Sequence, residues 1–129
     1  MKLTMTIRTI ACPLAFAAAL AVSSAAFADS DPGETQFNQR CKVCHVVTTG
    51  GAPGPLAPNL RGVVGRKAAS TAFKTYSPAL KASNLVWSTA TLDKFLTAPG
   101  KLVPGTRMVI AVTDAGQRKA LVSWLAKQK

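Results

Sequence analysis

The sequence predicts an all-α domain with three main helices, some shorter ones and long loops. Three observations carry that expectation. Capping residues stand ahead of apolar residues spaced three and four apart. Glycine and proline concentrate in the stretches between those segments. The alternation of strands and helices that marks an α/β fold is missing.

The chain has 129 residues. Its start carries Lys2 and Arg8 without an acid, then an alanine-rich apolar run from Ile10 to Leu20, then Ala26-Phe27-Ala28. That is the layout of a secretory signal peptide, so residues 1–28 are set apart from the fold and the domain is expected over 29–129, beginning at Asp29. An uncleaved membrane anchor over Thr9 to Ala28 is the alternative. The shortness of the run and its interruption by Ser23 and Ser24 favour cleavage. Cys12 sits at the start of the apolar run and goes with the signal.

Asp31-Pro32-Gly33-Glu34 opens the first helix, with Asp31 as cap and Pro32 at the first helical position. The spacing predicts a helix from Pro32 to Cys44, with Phe37 and Cys41 on one face. Residues 46–59 hold three glycines and three prolines and are expected to form an irregular loop. Pro78 to Ser83, capped by Ser77, is the best short helix of the middle region. Thr89 to Thr97 forms the second main helix, with Leu92, Phe95 and Leu96 inward and Ala98-Pro99-Gly100 ending it. The last helix starts near Asp114, runs to about Lys127, and buries Leu121, Val122, Trp124 and Leu125. Such short helices and long loops make a poor core for 101 residues unless something apolar lies within it.

Cys41-Lys42-Val43-Cys44-His45 contains the only histidine and two of the three cysteines. In C-x-x-C-H two thiols attach haem covalently and the imidazole takes one axial position on iron. A thioredoxin-like pair needs a strand and helix context that is missing here, and a zinc site needs a fourth ligand. A plain disulfide is chemically open. Haem c attached through Cys41 and Cys44 is preferred because the motif, the export signal and the thin core all call for it. The second axial ligand cannot be histidine. Met108 is the only methionine after residue 28, and Pro104-Gly105-Thr106-Arg107 puts it on a loop able to approach a flat cofactor. Ligation is therefore preferred over the ordinary gap-filling role of methionine.

From Gly33 to Lys127 the chain resembles the class I cytochromes c, the soluble mono-haem carriers of the bacterial c2 and mitochondrial type. The matching residues are Gly33 and Phe37, the C-x-x-C-H motif, Pro58-Asn59-Leu60, Gly65-Arg66, Tyr76, Trp87, Pro104 to Met108, and Leu121 with Trp124. The resemblance implies the cytochrome c fold wrapped around one covalent haem. It implies that His45 donates its other ring proton to the Pro58 carbonyl, and that Arg66, Tyr76 and Trp87 satisfy a haem propionate. It also implies that Gly33 and Phe37 cross the last helix at Leu121 and Trp124. Departures from the pattern are Ala57 in place of a common glycine, a loop before Pro58 longer by one residue, Arg107 for a common lysine, and Leu80 for a polar residue. Leu80 is expected to dry that side of the haem.

Sixteen basic residues stand against five acids, and removing Lys2 and Arg8 leaves a formal charge of +9. Such a balance suits rapid, salt-sensitive encounter with acidic faces of redox proteins. Arg40, Lys42, Lys101 and Arg107 follow the family's docking pattern. Export and the scattering of the charges argue against nucleic acid. No later run has membrane length, so no stable insertion is expected once the signal is removed.

The leading expectation is a monomeric periplasmic one-electron carrier, not an enzyme, between respiratory or dehydrogenase partners. Two others are a haem subunit docked on a dehydrogenase and a peroxidase-like protein whose Met108 bond opens readily.

Overall fold

The computed structural model describes residues 29–129; the expected signal peptide, with Cys12, lies outside the described residues. Five helices follow in order: α1 (Pro32–Arg40), α2 (Pro78–Ala82), α3 (Thr89–Thr97), α4 (Pro99–Leu102) and α5 (Ala115–Lys127). Among the described residues there is no strand, only an isolated antiparallel bridge between Lys67 and Val86. No described helix is long and apolar enough to cross a membrane.

Local chemistry starts most of these helices. Asp31 accepts from the Gly33 amide at 2.9 Å, Ser77 from Leu80 at 3.1 Å, and Asp114 from Gln117 at 2.7 Å. Ser88 caps α3 by accepting from Thr91 at 3.0 Å. Each such bond satisfies an amide that the helix itself leaves without a partner.

Two boundaries differ from expectation. α1 stops at Arg40 rather than Cys44. The Phe37 carbonyl accepts from both Cys41 (2.9 Å) and Lys42 (3.0 Å), so the helical register slips, and Cys41 falls to φ −109°. Residues 41–45 then close as a turn, with the amides of Cys44 and His45 both on the Cys41 carbonyl. Beyond α3, the triplet Ala98-Pro99-Gly100 ends one helix and begins another. Ala98 is the C-cap of α3 and the N-cap of α4, with Pro99 at the first helical position, where its missing N–H costs nothing.

α1 and α5 cross closely at Gly33. A Cβ there would collide with the Ala120 carbonyl and the Trp124 Cβ, so only glycine lets the backbones meet. Phe37 lies beside Trp124 with ring centroids 5.0 Å apart, and Leu121 is only 1% exposed. α3 buries Leu92, Phe95 and Leu96 against the same core, and Phe95 contacts Trp87 at 5.0 Å. Burial of each such side chain contributes about 1.5–3 kcal/mol, which helices this short need because they are marginal in isolation.

Replacing Gly33 with Ala should lower the denaturation midpoint by the equivalent of about 1–3 kcal/mol, the range for overpacking; an unchanged midpoint would show that α1 and α5 separate without penalty. The Lys127 ammonium, 3.0 Å from Asp31, holds the Asp31 carboxyl below its usual 3.8, helped by the Gly33 amide. The stability this contributes is present above the ordinary carboxylate value and is lost as pH falls through the depressed one. Thermal melts of wild type and Asp31→Asn, which keeps the cap without the charge, should therefore differ at neutral pH and converge in acid.

Candidate functional site

The turn that ends α1 opens onto a cavity of about 460 Å³, a common size for a small-molecule or cofactor site. Cys41, Cys44 and His45 line it, as do Pro58, Arg66, Tyr76, Trp87 and Met108. The rest of the wall is mainly apolar and comes from every quarter of the fold: Leu60 and Val63, Leu80 from α2, Leu92, Phe95 and Leu96 from α3, and Leu121 and Leu125 from α5.

His45 Nδ1 lies 2.7 Å from the Pro58 carbonyl oxygen. A carbonyl cannot donate, so Nδ1 carries the proton and Nε2 keeps its lone pair. Burial pushes the His45 pKa below 6.5, against the opposing effect of the Pro58 bond, and favours the neutral ring. A neutral imidazole oriented through its other nitrogen is the form that ligates a metal.

Cys41 and Cys44 are not joined in a disulfide. Burial pushes Cys41 up to about 11, with Cys44 adding to the rise and Arg40 opposing it. A thioredoxin-like nucleophile requires the opposite shift, so the burial of Cys41 does not favour a redox thiolate at this pair.

Pro58 is held by its neighbour. Asn59 is buried, donates to the carbonyls of Thr48 (2.9 Å) and Ala52 (3.0 Å), and accepts from the Arg61 amide at 2.9 Å. One side chain thereby ties the irregular 46–59 loop together. The Arg66 guanidinium donates to the carbonyls of Asn59 and Arg61, each at 2.9 Å. Burial lowers its pKa, opposed by Tyr76. Two of its five donors are thus committed to the main chain and three remain. The Tyr76 hydroxyl is 2.6 Å from the Thr71 hydroxyl. Trp87 exchanges main-chain bonds with Gly65 and Arg66, which keeps its indole and the guanidinium on neighbouring stretches of wall.

Met108 is half-buried, with its amide 3.3 Å from the Thr106 hydroxyl. It follows a turn in which Thr106 N–H bonds the Val103 carbonyl at 3.0 Å; Pro104 and Gly105 (φ +88°) occupy the central positions, as a type II turn demands. Around the mouth stand exposed Val43, Leu56, Val109 and Ile110. Of the four expected docking cations, Arg40 and Arg107 line the cavity, whereas Lys42 and Lys101 are exposed but do not. Arg107 is also bound to the Thr75 carbonyl at 2.9 Å.

The donor set fits haem: two thiols and a neutral imidazole on one turn, a thioether on a separate loop, and an apolar wall between. Sequence reasoning missed Asn59 as the organiser of the loop. Its neighbour Pro58, expected to support the histidine, was the available signal.

The sequence matches the cytochrome c family model over residues 30–129. A cytochrome c2 of Rhodomicrobium vannielii is 44% identical over 114 residues, spanning 86% of this chain and 90% of that protein. A cytochrome c2 of Rhodoblastus acidophilus is 42% identical over 102 residues, 78% of this chain and 94% of the relative. A cytochrome c of Cannabis sativa is 37% identical over 98 residues, 75% and 87% of the two chains.

Replacing both Cys41 and Cys44 with Ser should abolish covalent haem and leave a largely unfolded chain, read by haem staining of denatured protein and by circular dichroism. A folded, haem-free variant would show that protein atoms alone suffice for the core.

Proposed function

The chain belongs to the cytochrome c family, and from that premise we propose that it is an exported one-electron carrier with His45 and Met108 as the axial pair. One haem c, bound through Cys41 and Cys44 at the C-x-x-C-H position, supplies the redox chemistry. The protein is a carrier rather than an enzyme. What this chain's residues do is hold, orient and shield the group.

The observation that carries the proposal is the convergence of His45 and Met108, 63 residues apart, on one cavity. The His45 ring is oriented by Pro58, and the soft thioether of Met108 favours the reduced state. With His45 and Met108 both holding the iron, the bound haem would exchange an electron with little movement of these side chains, and they would leave no position for a substrate. The apolar wall, with Leu80 on the side where relatives of the mitochondrial type carry a polar residue, keeps water from the centre. Arg66, Tyr76 and Trp87 offer donors to a propionate, which is costly to bury unpaired.

Residues 1–28 act in this reading as a cleaved export signal, delivering a periplasmic monomer of residues 29–129. The surplus of basic residues steers it to acidic faces of respiratory or dehydrogenase partners, in encounters weak enough for turnover. Arg40 and Arg107 at the cavity mouth, with Lys42 and Lys101 further out, form the docking rim.

A redox titration of the holoprotein with spectra in both states tests the axial pair. Met108→Ala should lower the reduction potential, remove the far-red band of sulfur-to-ferric-iron ligation and admit external ligands. An unchanged potential would show that another group ligates iron, and absence of the band in the wild type at neutral pH would favour a peroxidase-like open site. Co-elution with an enzyme in fixed ratio from the native host would replace the free carrier with a docked subunit.

A further inference from the structure

The segment carrying Met108 is anchored on both sides, by very different means. On its N-terminal side the Val103 to Thr106 turn and the Thr106 hydroxyl hold it directly. On its C-terminal side, residues 109–111 make no main-chain hydrogen bond among the described residues. Val109 is 79% exposed. The first fixed point is Val112, whose amide bonds the Leu96 carbonyl of α3 at 2.8 Å and whose side chain is 1% exposed.

The carbonyl of that same residue is held by Arg118. The guanidinium Nη1 donates to the Val112 carbonyl at 2.9 Å and to the Thr113 carbonyl at 3.1 Å, while Nε donates to the Asp93 carboxylate at 2.7 Å. Arg118 is on α5 and Asp93 on α3, so the pair spans the two helices between which the segment enters α5. The Arg118 side chain is 11% exposed while the Asp93 side chain is 46% exposed, so solvent screens the carboxylate end of the pair and the shielded guanidinium with its two carbonyl bonds is the firmer part of the clamp. Four residues of extended chain reach about 14 Å at most. Val112 therefore sets the far limit of any excursion by Met108.

We infer that Asp93 and Arg118 are positioning residues for Met108: clamped carbonyls at Val112 and Thr113 hold its segment against the cavity and restrict its departure. This rests on Met108 being an axial ligand. Arg118 is not among the residues that line the cavity; its bonds to the Val112 and Thr113 carbonyls pass its effect through the main chain. Lysine cannot replace it, because an ammonium lacks the planar fork that serves a carboxylate and two carbonyls at once.

The test uses ferric holoprotein and imidazole, a small ligand that competes for the position taken by Met108. Binding is followed by loss of the sulfur-to-iron band, and exchange of the Val112 amide by hydrogen exchange. In Arg118→Lys and Asp93→Asn, imidazole should bind at least about tenfold faster than in wild type, the scale of one charge-assisted hydrogen bond, and the Val112 amide should exchange faster. Lys127→Ala breaks the bridge to Asp31 at the other end of α5 and should leave both rates unchanged. Wild-type rates in the Arg118 and Asp93 variants, with the band present in wild type, would overturn this inference and leave the ligation standing. Equal acceleration in Lys127→Ala would reduce the pair to general support of the fold and overturn it too. A wild type without the band would overturn the ligation of Met108, and the inference with it.

Discussion

The close crossing of α1 and α5 at Gly33 is the constraint on which the other parts of the structure depend. It joins the two ends of the described chain, and it does so at backbone distance because nothing projects from Gly33 toward Ala120 and Trp124. With α1 so placed, the turn at its end delivers Cys41, Cys44 and His45 to the face of α5 that carries Leu121 and Leu125. α3 then lies on α5 and extends the same wall through Leu92, Phe95 and Leu96. Three short helices thus form the back of one cavity, and the loops make its sides.

Those loops are tied together by side-chain hydrogen bonds rather than by regular structure. Asn59 takes the place of a sheet ladder in the 46–59 segment, spending its amide and carbonyl on main-chain groups of Thr48, Ala52 and Arg61. Arg66 then bonds the carbonyls of Asn59 and Arg61. The carbonyl that orients His45 belongs to the residue just before Asn59, so the orientation of the ring is coupled to this network. Burial of the network matters, since a polar group left unpaired there would cost more than the bond itself contributes.

Much of this was legible in the sequence where the signal is local. The limits of α2, α3 and α5 follow from a capping side chain and an apolar period within one or two turns, and the helices begin and end within a residue of expectation. The end of α1 was not legible, because a shared carbonyl at Phe37 decides it and no residue type announces that. α4 was hidden because proline reads as a terminator, although it is equally at home at the first position of a new helix. In the site, chemically rare types were legible: one histidine, and one methionine after residue 28, both of which line the cavity. Asn59 was named only within the Pro58-Asn59-Leu60 match, with no role, and Asp93 and Arg118 were not singled out, since their importance lies in which main-chain carbonyls and distant side chains they meet. Composition and spacing carry no trace of such partners.

The two expected iron ligands are held unequally, and this bears on how the site divides electron transfer from ligand exchange. His45 follows two points of covalent attachment within four residues, and its ring has a bond of its own to Pro58. Met108 has no such support for its side chain; the main chain on either side restrains it, through the turn at Val103 to Thr106 and the clamp at Val112. A thioether can accept only weakly, so little else could hold it. On the proposed ligation, opening of the axial pair would begin on the methionine side, at a rate set by anchors several residues away. Tight anchors make a closed carrier of this fold, and loose ones expose iron to external ligands. On the proposed ligation, the distinction between a closed carrier and an iron open to external ligands would lie less in the ligand set than in the hydrogen bonds that fix the two ends of residues 103–113.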